Sequence, residues 1–545
     1  MPAHEVVQPG AAGPEVVRKG ACLRLISKTL QVRSTWLVAC VAFLWLSATT
    51  GLYPLLLPDE GRYVGVAWNM LTAGQYSVPR LDGLPFFHKP PLFYWITALS
   101  LNVFGANEWA ARLSSVLGAT LMVTLVFAFL KAYANQRVAA LAAIILLSQP
   151  LLFGASHYAN LDMTVAGIIT ATVMAAAAAA FRLEQGERHQ GMLGLAYALA
   201  AAGFLAKGLI GIVLPGGIIV FWLIARRRWD ILRRLFWLPG LVIFLAVSLP
   251  WMVAMQQRYA DFFDYYIVHQ HVERFLEKNF NNARPFWFYV PVLLALTLPW
   301  SVQIWRLANK AWWKRDEDAA VRSLMLTWLV VVLVFFSVPN SKLVGYILPA
   351  LAPLAYFLAE SFARRLSGPR PDRVLKGFGW SLAISLAICV AAVAVMVIKP
   401  QPSTKGLALQ LQHRYAVADK VVMLERFRYD LDFYLGVGKS AFVVSNWSDP
   451  ELTRTDNWRR ELYDAAKFEP EAGQRLLIEA EGLQDKLCSA RVVGLWLIGT
   501  TESPDRYPYL KDRVPDLQDG DLRAWYVPAG APLSFCGETP STGPK

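Results

Sequence analysis

The chain has 545 residues, of which 55% are hydrophobic and only 17% charged, a balance too apolar for a water-soluble globular protein. Its formal net charge of +13 would suit a nucleic-acid partner, but the basic residues fall in short clusters between apolar runs. That distribution marks the cytoplasmic loops of a multi-pass membrane protein and argues against a nucleic-acid groove.

Residues 1–34 carry Arg18, Lys19, Arg24, Lys28 and Arg33 and read as a cytoplasmic N-terminal segment. The first apolar run, 36–53, exits as an uncleaved helix and puts the segment 54–109 on the outer, periplasmic side. Two amphipathic stretches inside that segment, near 60–71 and 91–104, read as helices lying at the membrane surface. Ten more apolar runs follow, near 110–130, 138–155, 163–181, 191–205, 209–225, 235–254, 285–305, 324–338, 343–359 and 378–398. Basic clusters such as Arg226–Arg228 and Arg364–Arg365 all fall on one side, and 255–284 forms a second large outer loop. About eleven spans are expected within a transmembrane domain over 35–398.

Beyond residue 399 the composition becomes that of an ordinary globular domain, and 399–545 reads as a small α/β domain on the outer side. Strands are expected near 420–424, 441–445 and 492–499, with helices near 429–435 and 472–483. Cys488 and Cys536 lie in this part and are candidates for a disulfide if it faces an oxidising compartment.

This topology gathers the unusual polar residues on the outer face. Pro58-Asp59-Glu60-Gly61-Arg62 sets two carboxylates and an arginine just after the first span. A helix start would explain the acids, since Pro and carboxylates suit a first turn; a catalytic carboxylate at the membrane surface would explain them too. The same face holds His88, Lys89, His157, Asp162, Lys207, His269, His271, Glu273, Arg274 and Lys342. Lys207, wedged between two apolar runs, needs an anion or a carboxylate beside it.

Such a set suits transfer of a group from a phosphate-bearing membrane lipid. A carboxylate, Asp59 or Glu60, orients or deprotonates the acceptor, and Lys and Arg hold the phosphate leaving group. Arg62, Arg274 and Lys342 are candidate phosphate contacts on this reading. That chemistry requires no cofactor. His88, His269 and His271 raise zinc as a candidate metal, although the His-x-His spacing is permissive rather than diagnostic.

Several stretches together resemble the GT-C membrane glycosyltransferases of the protein O-mannosyltransferase type, and within them the bacterial lipid A aminoarabinose transferases. They are Pro58-Asp59-Glu60-Gly61-Arg62-Tyr63, Pro79-Arg80-Leu81-Asp82-Gly83, His88-Lys89-Pro90-Pro91, Leu161-Asp162, His271-Val272-Glu273-Arg274-Phe275 and Ser341-Lys342-Leu343 with Tyr346. The resemblance implies an all-α polytopic GT-C fold of about 11–13 transmembrane helices, with surface helices in the first outer loop and a small α/β C-terminal periplasmic domain. It implies an inverting enzyme of the bacterial inner membrane that takes a sugar from an undecaprenyl-phosphate donor. The acceptor would be lipid A or another envelope lipid, glycan or protein. It also implies that Asp59 is the key acid, and that Lys89, Asp162, Lys207 and Tyr346 line the cavity for donor phosphate and sugar. A pocket for the prenyl chain would lie between the spans below. One position departs: His88 stands where the aminoarabinose transferases carry glutamate, which weakens the case for a cationic amino sugar. Protein O-glycosylation is the runner-up. A polyprenyl-lipid flippase is the non-enzymatic alternative, disfavoured because the polar groups gather at one face rather than at mid-membrane depth.

Overall fold

The computed structural model describes residues 33–273, 282–308, 319–453, 457–488, 493–530 and 536. All eleven apolar runs are helical. Six helices are long and apolar enough to cross a bilayer, and a seventh span forms if Gln136–Ser148 and Pro150–Ser156, bent by 61°, are counted as one. The other four runs are shorter or broken. Thr35–Ser47 has 13 residues and Ile210–Ala225 has 16. Gln190–Lys207 ends at a sharp turn, and the run near 285–305 divides into Tyr289–Leu296 and a 3₁₀ stretch, Trp300–Ala308. Pro150 explains the bend, because it opens the second helix of the pair with no N–H to continue the first.

Short polar caps set the turns between helices. The side chains of Asn107, Asn135 and Asn160 accept hydrogen bonds from Ala110, Val138 and Asp162 backbone N–H groups, and so start the helices Glu108–Tyr133, Gln136–Ser148 and Leu161–Glu184. The first and third of these pack backbone to backbone. A Cβ on Gly118 would lie 2.6 Å from Met163 O, and one on Gly167 would lie 2.3 Å from Gly118 O. This is the small-residue contact by which membrane helices approach closely. It is reinforced by Ser114 Oγ and Thr164 Oγ1, 3.0 Å apart, and by Ser115 Oγ donating to Tyr158 O at 2.7 Å.

The two amphipathic stretches of the first loop are the helices Asp59–Ala73 and Leu92–Phe104. Between them a hairpin pairs β1 (Arg80–Leu81) with β2 (Leu84–Pro85). Asp82 and Gly83 make its turn with φ of 50° and 78°, the left-handed pair that Asp-Gly supplies in tight hairpins.

The C-terminal part builds one sheet from β3 (Lys420–Leu424), β4 (Phe442–Ser445), β5 (Leu477–Glu479), β6 (Leu495–Thr500), β7 (Leu517–Asp519) and β8 (Leu522–Val527), in the order β5-β4-β3-β6-β8-β7. β3 to β6 run parallel, while β8 and β7 add antiparallel. The helix expected over 472–483 stops at Leu476, and Leu477–Glu479 extends instead to pair with Val443–Ser445. Tertiary pairing thus overrides a local helical pattern. The helices Lys405–Gln412 and Trp458–Phe468 were not expected. Cys488 and Cys536 are joined by a disulfide.

This domain is clamped to the first loop. Arg80 makes a fork to Glu469, with Nη1 to Oε2 at 2.9 Å and Nη2 to Oε1 at 2.7 Å, and Tyr259 OH donates to the same carboxylate at 2.8 Å. Asp82 Oδ1 accepts from Ala441 N at 2.7 Å, Trp68 Nε1 donates to Val437 O at 2.8 Å, and Tyr434 OH accepts from Leu55 N at 2.8 Å. A cavity is left where the loop, the domain and the helix ends meet.

Candidate active site

The cavity has a volume of about 360 Å³ and is walled from three sources. The first-loop helix contributes Asp59 and Arg62. The ends of the membrane helices contribute Asp162, Lys207 and Tyr346. The C-terminal domain contributes Arg426, Tyr429 and Glu461, and Lys89 also lines it.

Asp59 opens the first turn of the helix Asp59–Ala73, so its side chain stands at the helix mouth, 39% exposed. Tyr158 OH donates to Asp59 Oδ2 at 3.1 Å, and Arg62 Nη2 lies 3.3 Å from Asp59 Oδ1, one turn on. Burial, and then the charge of Asp59, push the Tyr158 phenol well up, so it stays a donor. Arg62 also reaches Glu461 Oε1 at 3.1 Å, and Glu461 Oε2 accepts from Tyr429 OH at 2.7 Å. A chain of charges therefore runs from Asp59 into the C-terminal domain.

On the opposite wall Asp162 and Lys207 form an ion pair, each with only 12% of its side chain exposed. Asp162 sits at the start of one helix and Lys207 at the end of another, the ends whose dipoles favour those charges. The Lys207 ammonium also lies 4.4 Å from the centre of the Tyr346 ring. Gly345 makes this possible: a Cβ there would sit 2.1 Å from Asp162 Oδ2. The isolated lysine between apolar runs thus has the carboxylate partner that its position demanded.

Two expected site residues lie elsewhere. Glu60 is fully buried behind the cavity and faces Arg112, with Arg112 Nε to Oε1 at 2.8 Å and Nη2 to Oε2 at 2.7 Å. Backbone N–H groups of Leu56 and Ala159 each donate to it at 2.6 Å. All its acceptor capacity is used by the fold, so Glu60 clamps the loop and does not line the cavity. Arg112 completes the clamp by donating to the carbonyls of Thr50, Tyr53 and Pro54. Lys342 is likewise buried and caps the carbonyls of Arg284 and Pro339, beside a bridge between Ala283 and Ser341. It holds a loop together instead of facing the cavity.

For the metal question, the His88 ring stacks on Phe86 with centroids 4.3 Å apart. Among the described residues no group of three His, Cys, Asp or Glu side chains is placed to hold a metal ion. The side chains of His269 and His271, and Arg274, lie outside the described residues. His157 is structural: its ring meets Thr49 Oγ1 at 2.8 Å and Phe153 O at 2.9 Å, and burial lowers its pKa to about 4.

Sequence reasoning missed Tyr158, Arg426, Tyr429, Glu461 and Arg112. Tyr158 was visible as a neighbour of Asp162. The others carry no pattern of their own, because only the docking of a distant domain, or a buried helix face, brings them to the site.

Residues 88–253 match the family described as dolichyl-phosphate-mannose-protein mannosyltransferase. The undecaprenyl phosphate-alpha-4-amino-4-deoxy-L-arabinose arabinosyl transferase of Pseudomonas aeruginosa (strain UCBPP-PA14) is 33% identical over 340 residues, covering 61% of this chain and 60% of the relative. The like-named protein of Serratia proteamaculans is 34% identical over 335 residues, covering 60% and 59%. The chain thus matches about 60% of the length of these curated relatives. ArnT from Cupriavidus metallidurans, solved bound to undecaprenyl phosphate, superposes with a TM-score of 0.76 at 21% identity, covering 91% of this chain and 98% of that one. Its apo form gives 0.74 at 22% identity, covering 90% and 97%.

The chain has the GT-C fold. Within that fold the cavity lies at one end of the helical bundle. The helix Leu161–Glu184 carries Asp162 into the cavity, and its 24 residues span about 36 Å, enough to cross a bilayer core. At its far end Glu184 pairs with Arg226 at 3.0 Å and Arg228 at 2.6 Å. The cavity groups and the basic cluster therefore sit at opposite ends of this helix.

Proposed function

We propose that this chain is an inverting glycosyltransferase that moves a sugar from an undecaprenyl-phosphate donor to an envelope acceptor, with a phosphate of lipid A type as the preferred acceptor. The observation that carries the reading is the cavity itself, where one exposed carboxylate, Asp59, faces a wall containing Lys207, Lys89 and Asp162. In the reaction an acceptor oxygen attacks the anomeric carbon, and the bond from that carbon to the donor phosphate breaks with its electron pair going to the phosphate. Lys89 and Lys207 offset the charge that grows on the leaving phosphate. A hydroxyl acceptor would pass its proton to Asp59; a phosphate acceptor is already ionised, and Asp59 then orients the sugar and steadies positive charge at the anomeric carbon.

A lipid donor also needs room for its tail. An apolar pocket of about 520 Å³ begins at Phe204, one helical turn before Lys207, and a second of about 330 Å³ continues towards Leu232 and Leu235. They share Ile212 and Phe244, so the two form one apolar track along the bundle, which supports a prenyl chain as the tethered group. The basic cluster at Arg226 and Arg228 favours the cytoplasm for the far face. The disulfide favours an oxidising outer compartment for the C-terminal domain, and with it the cavity.

The family description of residues 88–253 favours a protein acceptor as the second reading. Mass spectrometry of lipid A and of glycoproteins from a strain lacking this chain separates the two. Loss of a sugar from lipid A, restored by the wild-type chain and not by Asp59→Asn, supports the first reading. Loss from glycoproteins alone supports the second, and no change in either contradicts both.

A further inference from the structure

We infer that Arg426 is the anion contact for the acceptor, so that the C-terminal domain supplies the acceptor subsite of the cavity. The inference rests on the transferase reading above and deepens it.

The charges of the cavity are unevenly committed. Arg62 is held between Asp59 and Glu461, and Lys207 is held by Asp162. Arg426 lines the same cavity, is exposed, and has no acidic partner among the described residues. Arg428 stands two residues further on; burial and then the Arg426 charge lower its pKa, while Asp430, Asp521 and Glu425 act the other way, so the two guanidiniums lie within reach of each other's charge. An exposed guanidinium beside a second one, opening into a cavity, is the arrangement that binds phosphate through two parallel N–H groups.

The backbone is built to aim this side chain. Arg426 follows Leu424, the last residue of β3, and Glu425 between them is a non-glycine residue at φ 65°. Arg426 N donates to Leu424 O at 2.7 Å, closing a three-residue turn, while Glu425 N stays bonded to β4 through Val444 O at 2.8 Å. Left-handed backbone at such a residue is costly and persists where surrounding contacts enforce it. The turn also lies at a favoured place. β3 has β4 on one side and β6 on the other, all parallel, and the chain reverses its order there. Open parallel sheets bind ligands in the crevice at the carboxyl ends of strands at such a reversal. Tyr429 and Glu461 carry the wall from there to Arg62 and Asp59, so an acceptor held at Arg426 reaches the reacting end of the cavity from the domain side.

The test measures binding by the purified full-length protein in lipid nanodiscs, using lipid A, the same lipid A stripped of its phosphates, and undecaprenyl phosphate. Wild type is expected to prefer phosphorylated lipid A by about tenfold or more. Arg426→Ala should remove most of that preference, Arg426→Glu all of it, and Arg426→Lys should keep part, as a point charge without the fork. Affinity for undecaprenyl phosphate should stay within about twofold in all three, because the donor phosphate is held on the other wall. The inference is overturned if wild type shows no preference for the phosphorylated lipid, if Arg426→Ala keeps the full preference, or if undecaprenyl phosphate affinity falls in parallel. Failure of the transferase reading would appear separately, as wild type that does not bind undecaprenyl phosphate at all.

Discussion

Asp59 and Glu60 are adjacent in the chain, yet the fold gives them different work. Asp59 is exposed at the cavity with one phenol and one guanidinium beside it, whereas Glu60 is sealed among four donors. Glu60→Gln should therefore act on folding: it leaves Arg112 buried without its countercharge, at a cost of about 3–5 kcal/mol. Thermal melting and yield of the purified variant check this, and wild-type stability would contradict it. A second residue sets a pH dependence. Asp432 is buried in the C-terminal domain, and burial, then the neighbouring Asp430, raise its carboxyl from 3.8 to about 7. The folded state then holds this proton where the unfolded chain releases it, so the contribution of Asp432 to stability is full below about pH 4 and declines as pH rises towards 7. Asp432→Asn should remove that part of the decline, seen as a smaller fall in melting temperature between pH 5 and pH 8 than in wild type.

At the level of elements, the cavity depends on where helices begin and end. Asp162 and Lys207 meet because one helix starts and another stops there, and Gly345 leaves room for the carboxylate. Gly345→Ala should push Asp162 off Lys207 and lower activity more than it lowers stability, which paired kinetic and melting measurements check. Much of this level was legible beforehand. Apolar runs and basic clusters marked the helices, and Lys207 announced its need for a partner by standing charged between apolar stretches. What hydropathy could not supply was whether a run folds straight. The 285–305 run breaks into two short helices, and 136–156 bends at Pro150. Nor could it separate Glu60 from Asp59, or Lys342 from the cavity lysines, because burial and backbone partners decide their roles and neither leaves a periodic trace. The strand Leu477–Glu479 was hidden for a similar reason, since its partner β4 lies about thirty residues earlier in the chain.

For the whole molecule, the site exists only when membrane bundle and C-terminal domain are docked. The fork from Arg80 to Glu469 joins them, with 13% and 29% of the side chains exposed. Glu469→Gln should loosen this contact by about 1–3 kcal/mol. Proteolysis of the linker after residue 399 should become faster in that variant, and a double-mutant cycle with Arg80→Ala isolates the pair. Docking also explains why one side of the cavity wall escaped a reading of the first loop alone: Arg426, Tyr429 and Glu461 arrive from more than 300 residues away. The central claim is that this assembled cavity transfers a sugar from a polyprenyl-phosphate donor by way of Asp59. The most direct measurement is turnover by purified protein in proteoliposomes supplied with an undecaprenyl-phosphate sugar and lipid A, comparing wild type with Asp59→Asn. Wild type should form glycosylated lipid A and release undecaprenyl phosphate, while Asp59→Asn should melt like wild type and be slower by about 10²- to 10⁴-fold. Equal turnover in the two proteins would contradict the claim.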